Sequence, residues 1–229
     1  MHKIQRHRRD RRIRALQRSI VDARSGEVVF VSHCLLNQNT RYLGGAVCPG
    51  VVAAAIAPYV QDGTGVVQMP CPEQRVWGGV LKTRMLWVIQ HPRVARAALM
   101  LWPVVLPYVR WRYARYARAV VRDVEDYHAS GLSVRGLVGI AGSPSCGVHT
   151  TLDLPRAAGA VACRRREPAT ATWMNTAVVQ PALRPGRGLF VEELARALAR
   201  RGVEAPLLEE ALPTRNSDGG SFVTHVPVG

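Results

Sequence analysis

Three short stretches of the chain, 28–32, 65–69 and 137–141, are almost continuously apolar and rich in valine. Runs of this length without regular polar alternation predict strands: the first, continuous and β-branched, is expected to be buried on both faces, and the third reads as a buried strand. A fourth apolar segment, 203–207, fits a last strand. Between these runs the apolar positions shift to helical spacing. Residues 51–60 predict one helix, and 92–128 a long helical region with interruptions at Pro103 and Pro107. In that region Val109, Tyr113, Tyr116 and Val120 fall on one face and Arg115, Arg118 and Arg122 on another, before Ser130-Gly131 ends it. Residues 186–202 predict an amphipathic helix with a stop at Gly202. Residues 153–172 carry few periodic signals and read as loop or short strands, and the tail from Pro213 reads as irregular. Strands alternating with helices predict an α/β domain built on a Rossmann-like parallel sheet with flanking helices. Ligands of such sheets bind at the carboxyl ends of the strands.

Residues 1–24 also show helical spacing, at Ile13, Leu16, Ile20 and Val21, but their composition sets them apart. They hold nine Lys or Arg against Asp10 and Asp22, a large part of the chain's net charge of +15. The organisation expected is a basic extension over 1–26 and one α/β domain over 27–229, long enough to bury a core at 48% hydrophobic residues. Such an arm either binds nucleic acid, RNA among it, or anionic lipid, or is simply a solvated tail. The arginines among Trp111, Tyr113 and Tyr116 leave the same choice: an RNA-stacking surface, or a solvated face over an aromatic core face. Arginines break up the first apolar residues, so no signal peptide is expected. The longest apolar run, 97–109, holds Pro103 and Pro107 and is too short to span a bilayer. The cysteine count is five, odd and sparse, which argues against a disulfide-stapled secreted fold and for a reducing, cytoplasmic setting.

The cysteines then give the pattern its chemistry. Cys34 follows the first predicted strand, Cys71 the second, and Cys146 the third, within Gly142-Ser143-Pro144-Ser145-Cys146-Gly147. The intervals of 37 and 75 residues match neither a zinc-ribbon pattern nor a local ferredoxin-type run. Three soft thiolates meeting at one point suit an iron–sulfur cluster, or zinc with one open position. A single cysteine nucleophile paired with His33 or His149 is another arrangement, and three ordinary buried cysteines a third.

The segments Cys34-Leu35-Leu36-Asn37 with Arg41-Tyr42 and Gly44, Cys71-Pro72-Glu73, and Ser143-Pro144-Ser145-Cys146 together resemble the thiouracil desulfurase family, long known only as a domain of unknown function. The helix over 186–202 resembles the family's C-terminal helix, and the likeness covers roughly residues 27–207. The resemblance implies a [4Fe-4S] cluster held by Cys34, Cys71 and Cys146, with one iron free to bind the sulfur of a thiocarbonyl such as a thiouracil. It implies that Glu73 activates water or relays protons and that Ser143 or Ser145 assists, giving desulfuration without net redox change. The chain departs from the family pattern in several places. Asn37 replaces a glycine, Leu43 replaces an aspartate, the stretch from Glu73 to Gly78-Gly79 is longer, and Arg84 lacks a preceding proline. These departures place it with divergent desulfidases related to the family. They make Asn37, Asn39, Arg41 and Tyr42, in the loop after Cys34, the expected substrate contacts. Cys48 and Cys163 have no counterpart and read as structural. Two further readings remain: the same chemistry on thiolated tRNA, met through the basic surface, and a non-catalytic metal or iron–sulfur protein that binds nucleic acid or senses redox state.

Overall fold

The computed structural model describes residues 2–164 and 168–212. Its strands are β1 (Glu27–Ser32), β2 (Gly65–Met69), β3 (Ser133–Ile140), β4 (Thr150–Leu152), β5 (Leu183–Pro185) and β6 (Leu207–Glu210). Four of them form a parallel sheet in the order β2-β1-β3-β6, and β4 and β5 pair antiparallel beside it. The helices, in chain order, are α1 (His2–Ser19), α2 (His33–Leu36), α3 (Ala53–Gln61), α4 (Pro72–Val76), α5 (Thr83–Gln90), α6 (Pro92–Ala129), α7 (Leu154–Cys163), α8 (Ala171–Trp173), α9 (Gln180–Ala182) and α10 (Leu189–Arg201). A 3-10 turn lies at Gln38–Thr40, and a π-helical stretch, Met174–Val179, joins α8 to α9. The architecture is the expected α/β one, a Rossmann-like parallel sheet with flanking helices.

β1 sits centrally, and Val28 to Ser32 are all buried, which is why its sequence shows no polar alternation. One sheet face packs Phe30 and Leu137 against α6 and α10 through Tyr113, Val120, Phe190 and Leu194. The other face packs Val29, Val31 and Val138 against Ala55 and Ile56 of α3. A separate cluster of Ala95, Ala157, Val161, Met174 and Val178 joins α6, α7 and the π-helical stretch. That helical cluster is the wall that later faces the strand ends.

Three expectations need correction. First, α6 runs unbroken for 38 residues through Pro103 and Pro107. Both prolines are exposed and one turn apart, so the turns they weaken share one face, and their rings stand in solvent without displacing the core. Second, residues 154–163 form α7, where a loop or short strands were expected. The start signal was in the sequence: Asp153 accepts the Arg156 N–H at 2.9 Å and Pro155 sits in the first turn. Residues 165–167 and the tail expected to be irregular from Pro213 lie outside the described residues. Third, the last strand starts at Leu207, because Pro206 cannot donate to a ladder; its carbonyl instead accepts the Leu137 N–H at 2.8 Å.

α1 is helical, and its residues 11–19 are exposed, with Leu16 at 56%. The Gln17 side-chain amide donates to the Ser130 carbonyl at the end of α6. On α6 itself, Arg115, Arg118 and Arg122 are exposed while Tyr113 is buried, the two faces its spacing predicts. No helix among the described residues is long and apolar enough to cross a membrane.

Candidate functional site

The three cysteine-bearing segments leave the carboxyl ends of β1, β2 and β3, which are neighbours in the sheet. Cys34 lies in the short α2 directly after β1. Cys71 caps α4: Pro72 occupies the first turn, and the Cys71 Sγ accepts the Gln74 N–H at 3.4 Å. Cys146 lies in the turn after β3. That turn folds back onto its own strand, with the Ile140 N–H donating to the Cys146 carbonyl at 2.9 Å. The approach requires a glycine on the strand, since a Cβ on Gly139 would stand 2.1 Å from that carbonyl.

α10 fixes the Cys146 turn from the other side. The Leu189 and Phe190 N–H groups, unpaired within their own helix, donate to the carbonyls of Pro144 and Ser145 at 2.9 and 3.0 Å. Gly188 allows the contact, because a Cβ there would lie 2.5 Å from the Ser145 backbone. β6 holds the next segment: Glu209 Oε1 accepts the backbone N–H groups of Val148, His149 and Thr150 at 2.6, 2.9 and 3.2 Å. The turn is thus clamped by a helix start and by a carboxylate.

The three thiols line one cavity of about 400 Å³, together with Glu73, Lys82, Arg41, Tyr42 and Ser143. Burial pushes all three thiols up from the usual cysteine range. For Cys71 the value reaches about 12, burial first and the Glu73 carboxylate second. For Cys146 the neighbouring Cys34 and Cys71 add to burial, so the three are electrostatically close. No group of three His, Cys, Asp or Glu among the described residues is gathered tightly enough for a single metal ion.

Glu73 is the end of a buried relay. Trp77 Nε1–H donates to the Tyr113 hydroxyl at 3.0 Å, Tyr113 lies 3.1 Å from Ser145 Oγ, and Ser145 Oγ donates to Glu73 Oε1 at 2.9 Å. The tryptophan N–H only donates and the carboxylate accepts, which sets the chain running one way. Burial and the Glu73 charge raise the Tyr113 phenol, so it stays a neutral donor. On the far side Glu73 Oε2 faces the Lys82 Nζ at 3.6 Å, and Lys82 also donates to the Thr40 carbonyl. The Lys82 side chain is only 3% exposed. Lys82 was not among the expected site residues. It sits at φ 52, a left-handed turn position that no periodicity marks.

The other expected residues divide. Ser143 lines the cavity, but its Oγ accepts the N–H groups of Ser145 and Cys146 at 3.3 and 3.0 Å and so shapes the turn. Arg41 and Tyr42 line the cavity, and Arg41 Nε is buried with no partner among the described residues. Asn37 and Asn39 are not part of the lining; Asn37 Oδ1 accepts the Asn39 backbone N–H and side-chain amide at 3.1 and 3.0 Å. Gln38, also not expected, is buried between them and bridges the Cys34 carbonyl and the Val47 N–H. Neither His33 nor His149 lines the cavity. Burial, with Lys82 and Arg75 nearby, pulls the His33 imidazole below its usual range. Cys48 donates to the Val51 carbonyl at 3.3 Å and Cys163 is exposed, both away from the cavity lining.

Three soft ligands facing one cavity from three strand ends are a donor set of the kind that holds an iron–sulfur cluster. A scan against protein-family models finds no match, and searches of curated proteins and of solved structures find none either.

Proposed function

We propose that the protein is an iron–sulfur-dependent desulfidase that hydrolyses the C–S bond of a small thiocarbonyl, such as a thiouracil or thiolated nucleoside. The observation that carries the reading is the convergence of Cys34, Cys71 and Cys146 on a cavity that also holds a hydrogen-bonded buried carboxylate. A [4Fe-4S] cluster on these thiols would supply a Lewis-acidic iron that binds and polarises the thiocarbonyl sulfur. Glu73 takes a proton from the water that adds to the thiocarbonyl carbon. Collapse of the adduct restores a C=O bond, and sulfur leaves as sulfide, so water supplies the oxygen and no electrons change hands. Ser145, held by Tyr113 and Trp77, fixes the carboxylate, and Lys82 offsets its charge. Arg41 offers a buried, unpaired N–H to a polar atom of the substrate ring. The free thiols, and the need to protect such a cluster from oxidation, suit a reducing, cytoplasmic setting.

Anaerobically reconstituted protein should carry about four irons per chain and release sulfide from a thiouracil. Cys71→Ala should lose the iron. One equivalent of zinc, with no sulfide from any thiocarbonyl, would sink the proposal in favour of a non-catalytic metal protein. A second reading, desulfuration of thiolated tRNA, draws on the exposed Arg115, Arg118 and Arg122 of α6. It requires tRNA affinity that falls steeply with salt.

A further inference from the structure

The cavity has two chemically different ends. Its charged lining residues, Arg41, Glu73 and Lys82, all lie at the thiol end: each acts electrostatically on Cys34, and Glu73 pairs with Lys82. The other end enters the helical cluster and is lined by Val88 and Ile89 of α5, Leu154 and Val161 of α7, and Met174 and Val178 of the π-helical stretch. No charged side chain among the described residues lines that end. The cavity of about 400 Å³ is shared: a cluster on the three thiols would take up the thiol end, and the apolar end beyond it remains as space for ligand. With the ring's sulfur directed to the thiol end, an unsubstituted substrate would leave apolar walls facing a gap in which water finds few partners.

Resting on the desulfidase reading, we propose that the preferred substrate carries its thiocarbonyl on an apolar body, an alkyl- or aryl-substituted heterocycle. The thiol end then handles the C=S group, while α5, α7 and the π-helical stretch bind the substituent by apolar burial. Specificity in this arrangement comes from the helical wall and not from ring hydrogen bonds alone. Thiolated RNA is disfavoured, because a polynucleotide offers the wall no comparable apolar group.

The test is a graded series: 2-thiouracil and its 6-methyl, 6-propyl and 6-phenyl derivatives as substrates of the reconstituted protein. In parallel, calorimetry measures binding of the matching uracils to metal-free protein. Each buried methylene should raise kcat/KM and affinity about fourfold, and a propyl group roughly 50-fold. Ala158→Phe, which fills the apolar end, should bring the propyl-to-unsubstituted ratio back towards one. Val88→Asn, which puts an amide there, serves if the larger residue prevents folding. Sulfide released equally from all four compounds, with flat affinities, would overturn the inference and leave the desulfidase reading intact. Affinity that rises with the substituent, while no compound yields sulfide, would overturn that reading and uphold the apolar end as a ligand site.

Discussion

The Lys82–Glu73 pair is the most consequential contact at the site, and its energy is open to direct measurement. Both side chains are largely withdrawn from water, 3% and 14% exposed, with Nζ and Oε2 3.6 Å apart. At an effective dielectric constant near 20, that separation corresponds to an attraction of about 4–5 kcal/mol before desolvation. Desolvation of two charges cancels much of it, so the pair's net coupling should be about 2 kcal/mol. Removing one partner costs more than the coupling, because the other charge is left buried and uncompensated. Lys82→Met keeps the aliphatic stem and should destabilise metal-free protein by about 3 kcal/mol in urea unfolding. Part of that loss is the Thr40 carbonyl, which loses its ammonium donor. This part does not involve Glu73, so it cancels in a double-mutant cycle with Glu73→Gln. The coupling isolated by the cycle should persist at about 1 M salt, since buried charges are poorly screened. A coupling below about 0.5 kcal/mol, or one that vanishes in salt, would show that Lys82 only fills space. Under the proposed chemistry, Glu73→Gln should also lower kcat by about 100-fold or more.

Three further outcomes follow from the geometry. In metal-free protein the Cys71 thiol, pushed up to about 12, should react with iodoacetamide roughly a thousandfold more slowly than the exposed Cys163 at about pH 8; equal labelling by peptide mass spectrometry would contradict its burial. Glu209→Ala strands the buried Val148 N–H and should cost about 1–3 kcal/mol, with faster amide exchange at residues 148–150; unchanged protection there would remove Glu209 from the clamp. Burial raises the Glu210 carboxyl above its unfolded value, so its contribution is fully present below the unfolded pKa and is lost as pH rises through the folded one. Glu210→Gln should therefore stabilise the protein in thermal melts near neutral pH but not near pH 4, and an equal gain at both would refute the assignment.

The central strands β1 and β3 were legible because burial on both faces leaves an unambiguous mark, while β2, at the sheet edge with only Met69 buried, showed only as a short apolar run. β1 and β2 fall where their apolar runs put them, and β3 starts earlier, at Ser133, where its first residues alternate exposed and buried, and ends one residue sooner, at Ile140. α6 was legible as a helix but not as an unbroken one. A proline's cost depends on where the freed carbonyl points, and sequence alone does not show which face meets water. α7 was missed through reliance on periodicity, although Asp153 and Pro155 form a helix start that needs no periodicity at all.

At the site, chain position conveyed which residues arrive and little about what holds them. Each cysteine could be placed because it follows a strand, and the carboxyl ends of adjacent parallel strands necessarily meet. Glu73 followed from Cys71, which caps the short helix that carries it two residues further on. The residues that fix Glu73 come from elsewhere: Tyr113 from the middle of α6, where its spacing marks only a core position, and Lys82 from a left-handed turn. The two serines illustrate the same limit. Ser143 and Ser145 are equivalent by composition, yet one accepts backbone N–H groups and shapes the turn while the other donates to the carboxylate. What separates them is the docking of α10, whose first N–H groups take the carbonyls of Pro144 and Ser145 and so set which hydroxyl faces Glu73. It follows that the turn and α10 act as one unit. A change at Gly188, far from the cysteines in sequence, should disturb the Ser145–Glu73 contact as surely as a change in the turn itself.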